Sequence, residues 1–190
     1  VHSHGEGARL IGELGRTART SAAVHGVAAR VLPLSVWHTA SVGIDLWLAA
    51  IAHGAAQVWV MMTHEEAPEY RIAVEAQMRV AQSVLAGLGY SGEHFKLIDA
   101  DDASALDRAL QTPPAQMVKT TATFSVQADK RATLELALDH LLAQAPQPQS
   151  VISLEAQASP WGSVEIDKDR CTLCLSCVGA CPEAALADNP

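Results

Sequence analysis

No cysteine occurs before position 171, and no run of basic residues occurs anywhere in the chain. The first absence excludes a disulfide framework across the 190 residues, because the late thiols are too close together to staple distant segments. The second, with 13 Lys plus Arg against 21 Asp plus Glu and a formal net charge of −8, excludes a binder of phosphate backbones. Aromatic residues are only 4% of the chain although hydrophobic ones are 49%. Apolar content therefore comes from small and aliphatic side chains, alanine alone filling 34 positions, which suits a packed globular core and not a disordered chain. No charged region followed by an apolar run opens the sequence, so no secretory signal is read there. Nucleophile-elbow, P-loop and kinase signatures are absent, and His64-Glu65-Glu66 does not continue as a zinc hydrolase motif.

Only one hydrophobic stretch is long enough to cross a bilayer, Val42 to Met62. Asp45 and the break at His53-Gly54 argue against a span. The stretch reads instead as a helix over Ser41–Ala52, a glycine stop, and a buried strand over Gln57–Met62.

Around it, helical and extended periodicities alternate through the first 145 residues. A helix is expected over Glu6–Thr20 with Leu10, Ile11 and Leu14 on its apolar face, then a strand over Ala29–Val36 in which Pro33 indicates an edge or a bulge. Thr63 and Glu66 form a capping box ahead of a helix with Pro68 in its first turn. That helix carries Tyr70, Val74, Met78, Ala81, Leu85 and Leu88 at helical spacing, with Gly87 and Gly89 closing it. A strand over Phe95–Ala100 follows, then a helix capped by Asp101 or Asp102 and running to Leu110. Met117–Val126 is extended or irregular. A last helix over Asp129–Leu142 sets Leu134, Leu138, Leu141 and Leu142 on one face. Gln144–Ser150 has linker composition, and Trp161–Asp167 reads as a short strand. No internal repeat is present. The fold class expected is α/β: a three-layer Rossmann/flavodoxin-like domain with a mainly parallel sheet over residues 1–145. A linker over 146–160 and a truncated ferredoxin-like segment over 161–190 complete the chain.

The strongest chemical signal is Cys171-Thr-Leu-Cys174-Leu-Ser-Cys177-Val-Gly-Ala-Cys181-Pro182. Its C-x2-C-x2-C-x3-C-P spacing is that of bacterial ferredoxins. Cysteines two residues apart on a tightly wound loop point three thiolates at three irons of one cubane, and small neighbours such as Ser176 let backbone N–H groups reach the sulfurs. Pro182 is expected to open a short helix over Glu183–Leu186. The competing reading is a structural zinc site, which usually pairs two C-x2-C hooks across a longer spacer. Cys171, Cys174, Cys177 and Cys181 are thus the expected ligands of a [4Fe–4S] cluster. In two-cluster ferredoxins the cysteine before proline serves the other cluster, and no second cysteine run is present. Cys181 either completes a single site or belongs to a second cluster, two in the intact protein, with its partner half beyond Pro190. The latter is the expectation, and it leaves this chain with an incomplete or absent cluster. Thiolate ligands need a reducing compartment, so a cytoplasmic location is expected.

Other candidates have plainer alternatives. His2-Ser3-His4 beside Gly5-Glu6-Gly7 offers a metal or anion site at the mouth of an α/β sheet, or simply a strand end, a turn and a helix cap. His38 faces a ligand crevice or packs as a partly buried ring. Asp99, Asp101 and Asp102 offer acid–base chemistry, or a helix cap and a solvated loop.

The run Gly43-Ile-Asp-Leu46, then Ala49-Ala-Ile-Ala-His-Gly-Ala-Ala-Gln-Val-Trp-Val60, with Tyr70-Arg71 and Leu85-Ala-Gly-Leu-Gly-Tyr90, resembles the iron–sulfur delta subunit of methyl viologen-reducing hydrogenases over Val31 to Asp102. That resemblance implies electron relay with a formate dehydrogenase or hydrogenase-type complex and a heterodisulfide reductase-type partner through a [2Fe–2S] cluster. The loop Met62–Ala67, where that family places ligand cysteines, contains none, so this domain is expected to dock or scaffold without its own cluster. Three functions follow as expectations. The first is an electron-transfer protein that makes or breaks no substrate bond. The second is a ligand-binding or assembly module with a structural or redox-sensing cluster. The third is enzymatic chemistry at the crevice near His4, Gly5 and His38.

Overall fold

Val58–Met62 is apolar at every position, and a strand of that kind is stable only if both of its faces are covered. The computed structural model describes residues 1–162, 164–181 and 186–187, and it divides the chain into two compact units, Val1–Ser159 and Pro160–Pro190. In the first unit the order is β1 (His2–Ser3), α1 (Glu6–Thr20), β2 (Ser35–Val36), α2 (Ile44–Ala52), β3 (Val58–Met62), α3 (Pro68–Gly87), β4 (Phe95–Asp99), α4 (Ala103–Ala109) and α5 (Lys130–Ala143). β3 and β4 pair in parallel from Val58↔Phe95 to Met62↔Asp99. Val58, Val60 and Met62 on β3, with Phe95 and Leu97 on β4, face a core built with α2, α3 and α5 around Trp47, Leu48, Ile51 and Leu85. Met61 and Trp59, with Ile98, face a smaller core with Leu10 and Leu14 of α1 and Leu106 of α4. The period of two along each strand is what sends alternate side chains to different helices.

The chain is therefore mixed α/β with short parallel sheets, each a ladder of two strands, β1–β2 and β3–β4. The sheet is narrower than the Rossmann/flavodoxin-like expectation, chiefly because the strand expected over Ala29–Val36 contracts to Ser35–Val36. Pro33 has no N–H to give a ladder, and Leu32 and Leu34 beside it are exposed. Two bonds link the ladders: the Val1 amine donates to Trp59 O at 2.7 Å, and Met61 N–H donates to Val1 O at 2.9 Å.

Other boundaries have local causes. Asp102 and Asp129 cap α4 and α5, accepting backbone N–H groups one turn on. The expected capping box forms, Glu66 Oε2 accepting from Thr63 N–H at 2.7 Å and from Thr63 Oγ at 2.9 Å. It closes the loop after β3, however, because α3 starts later, at Pro68, with Ala67 as its cap. Tyr70 and Leu142, placed by periodicity on buried faces, are exposed. Tyr70 packs instead edge-on against the His38 ring.

The segment 146–158, read as linker, lies along the end of α3. Gln147 N–H donates to Leu88 O and Gln149 N–H to Gly87 O, Arg79 pairs with Glu155 at 3.2 Å, and Ile152, Leu154 and Ala158 pack on the larger core. Met117–Val126 has no regular structure among its residues, and it and the preceding Gln116 are tied down by three imidazoles. His94, His140 and His53 donate ring N–H groups to the carbonyls of Gln116, Thr120 and Phe124, each at 2.9 Å.

Candidate functional site

In the second unit the cysteine loop is built from a turn, a coiled stretch and one short helix. Asp167 O accepts the N–H groups of Arg170 at 3.2 Å and Cys171 at 2.9 Å, and Asp167 Oδ1 accepts from Asp169 N–H at 3.0 Å. This Asx-type turn sets Cys171 at the start of the loop. Leu173 and Leu175 then take φ of 56° and 57°, left-handed conformations that a leucine adopts at a cost of about 1–2 kcal/mol each. Left-handed residues interleaved in a turn aim successive backbone N–H groups at one point, the arrangement that holds anions and iron–sulfur clusters. α6 (Ser176–Ala180) follows, its first turn closed by Val178 and Gly179 N–H groups donating to Leu175 O. Cys177 lies in this helix and Cys181 just past it.

No disulfide joins the four cysteines; Cys171, Cys174 and Cys177 are exposed and Cys181 is half-buried. The Ser176 hydroxyl lies 3.3 Å from Cys174 Sγ. Hydrogen bonding from the Ser176 side chain and backbone, with help from Thr172, lowers the Cys174 thiol to about 7, a shift toward the thiolate that ligates metal. Among the described residues, no three His, Cys, Asp or Glu side chains are drawn together as a metal cage. The donor set nonetheless suits a thiolate-bound cluster: four cysteines within eleven residues, none in a disulfide and three of them exposed, with the Cys174 thiol shifted toward its ligating form.

Residues 164–187 match the 4Fe-4S binding domain family. This match covers the cysteine loop and gives the C-terminal segment a ferredoxin-like character and a [4Fe–4S] cofactor. No curated protein and no solved structure matches the chain, so the hydrogenase delta-subunit resemblance of Val31–Asp102 has no support from these comparisons. Trp161–Asp167 forms no strand among its described residues, because Val164 and Ile166 are exposed with no neighbouring strand to pair with. The helix expected over Glu183–Leu186 lies, except for Leu186, outside the described residues.

The crevice offered by the first unit is filled from within. Ser3 Oγ accepts Gly7 N–H at 2.9 Å, and Glu65 Oε2 accepts Glu6 N–H at 2.8 Å and Ser3 Oγ–H at 3.3 Å. The N-terminus of α1, which attracts anions, thus holds a carboxylate of its own chain. His2 is buried and donates to Ser3 O, while His4 is exposed. The His38 ring accepts Ala40 N–H at 3.2 Å and caps a turn of helix at Thr39–Ser41. Asp99 pairs with Arg71 at 3.0 Å. The plainer readings of these residues are the observed ones. His64-Glu65-Glu66 carries no sequence signal that links Glu65 to a helix terminus 59 positions earlier.

Among the described residues no helix is long and apolar enough to cross a membrane.

Proposed function

We propose that the protein is an electron-transfer component in which Cys171, Cys174 and Cys177 ligate one [4Fe–4S] cluster. Cys181, the cysteine before Pro182, is assigned to a second cluster. The observation that carries this reading is the ferredoxin cysteine spacing within the segment matched by the 4Fe-4S binding domain family. When bound, the cluster supplies a one-electron couple. The chain's own part is to hold it through thiolates and to tune it through N–H groups and exposure around the sulfurs. Three of the four cysteines are exposed, which suits short-range electron exchange with a protein partner. The three-layer α/β domain is a docking scaffold, and its resemblance over Val31–Asp102 favours a dehydrogenase or hydrogenase-type complex as that partner. The self-capped α1 terminus supports scaffolding over crevice chemistry.

Anaerobic reconstitution with iron and sulfide, followed by metal analysis and EPR of the reduced protein, tests the assignment. A cubane signal that Cys174→Ser abolishes is expected. Stoichiometric zinc without sulfide overturns it in favour of a structural metal clip. Repeating the analysis on a chain extended past Pro190 assigns Cys181. A second cubane in the extended chain, with a deficit in this one, places Cys181 on that second cluster; one complete cubane in this chain places it on the first.

A further inference from the structure

A cavity of about 580 Å³ opens in the first unit at the end of the ladders where β3 begins, opposite the strand ends at which doubly wound folds bind ligands. Its size lies within the usual range of small-molecule sites. Val31, Leu34, Trp59, Ile98 and Leu110 form its apolar wall. No aspartate or glutamate among the described residues lines it although the chain carries a net charge of −8. The charged side chain in its lining is Arg30, exposed at the rim. The Arg30 guanidinium is fixed there by Nη2, which donates to Leu110 O at 3.1 Å and Thr112 O at 3.3 Å. Those bonds engage one of its three nitrogens, and a guanidinium presents five donors in a planar fork suited to a carboxylate. Leu32, Leu34 and Met117 stand exposed at the mouth, apolar surface of the kind that marks a binding groove.

We propose that this cavity binds an amphipathic carboxylate, its aliphatic tail against the apolar wall and its head on Arg30. An apolar chamber with the Arg30 fork at its rim and no carboxylate among the described lining residues discriminates by head-group charge: a fatty acid gains the charge-assisted bond, and the matching alcohol gains only burial of its tail. The residues that line the site all belong to the first unit.

Titration calorimetry of the full chain with decanoate and with decanol tests this. Saturable decanoate binding, tighter than decanol, is expected. Arg30→Gln should weaken decanoate about tenfold and leave decanol unchanged, while Arg30→Lys keeps part of the preference. Leu34→Trp, at the half-exposed mouth, should weaken both ligands. Circular dichroism and thermal unfolding establish that each variant is folded before it is titrated. The proposal is overturned if folded wild-type protein does not saturate with decanoate, if Arg30→Gln leaves the preference intact, or if Leu34→Trp changes neither affinity.

Discussion

The Glu65 carboxylate accepts the backbone N–H of Glu6 at 2.8 Å, across a separation of 59 residues, so α1 is capped by the loop that follows β3. Gly5, at the cap position, makes no side-chain bond of its own. A Cβ there would lie 2.8 Å from Glu65 Oε1, so glycine leaves room for the remote carboxylate. Glu65→Ala should lower the unfolding free energy by about 1 kcal/mol, the usual cost of a lost cap. Glu65→Gln, which keeps an acceptor oxygen, should cost less. Urea titration of both variants separates the two outcomes.

Asp107 of α4 holds the loop after α1. Its carboxylate accepts the N–H groups of His25 at 3.0 Å and Gly26 at 2.9 Å, and the His25 ring Nδ1 lies 3.1 Å away. Burial pushes this carboxyl up, but the bonds from the His25 side chain and the two backbone groups outweigh it and hold the carboxyl below its ordinary value of 3.8. A depressed folded value makes its stabilisation fully present above 3.8 and lost as pH falls through the lower, folded value. Asp107→Ala should cost about 1–2 kcal/mol at neutral pH, because the buried Gly26 N–H and the part-buried His25 N–H lose their acceptor. The gap between variant and wild type should shrink in acid, as denaturant curves at stepped pH would show.

Gly89 carries φ of +90°, and a Cβ there would lie 2.7 Å from Gln147 N and 2.9 Å from Gln147 O. Both the backbone conformation and the neighbouring main chain require glycine. Gly89→Ala should destabilise the first unit by about 2 kcal/mol and release the segment along α3. Limited proteolysis should then cut between residues 146 and 159 faster than in wild type. A Cβ at Gly87 would lie 2.6 Å from Ile152 Cγ1 and 2.8 Å from Ile152 Cγ2, two atoms held on one stiff β-branched carbon, so Gly87→Ala should also displace Ile152 from the larger core.

His94 is fully buried and donates through Nε2 to Gln116 O. Burial, the largest influence, holds its imidazole below the ordinary 6.5. The unfolded chain therefore takes up the proton first as pH falls, and stability should decline from 6.5 downward until the folded ring also protonates. Thermal unfolding between about pH 5 and 7 should show this slope, and His94→Leu should lose His94's share of it at some cost in stability at neutral pH. An unchanged slope in the variant would assign the dependence to another group.

Elements with a strong local pattern were legible. α1 spans Glu6–Thr20 as its apolar spacing indicates, β3 occupies the all-apolar run before Thr63, and Asp102 and Asp129 act as caps. The strand expected over Ala29–Val36 pairs only at Ser35–Val36, because most of its length meets no neighbouring strand, which an apolar run alone does not reveal. Leu142 follows the helical period of α5, yet the part of the helix that meets α2 leaves it in solvent.

The cysteine spacing determined the cofactor class by itself, because a cubane's thiolates are set by a loop of eleven residues and so are written locally. The hydrophobic periodicity likewise determined the α/β character, since alternation of periods is a local property of each segment. The tertiary structure alone decided what the histidines do, what occupies the α1 terminus and where an apolar cavity opens. Each of those joins residues from distant parts of the chain. His94, His53 and His140 tie an irregular segment through its carbonyls, Glu65 reaches α1 from beyond β3, and Arg30 meets the end of α4 eighty residues on. A buried donor or acceptor must find a partner wherever packing places one, and that choice is made in three dimensions.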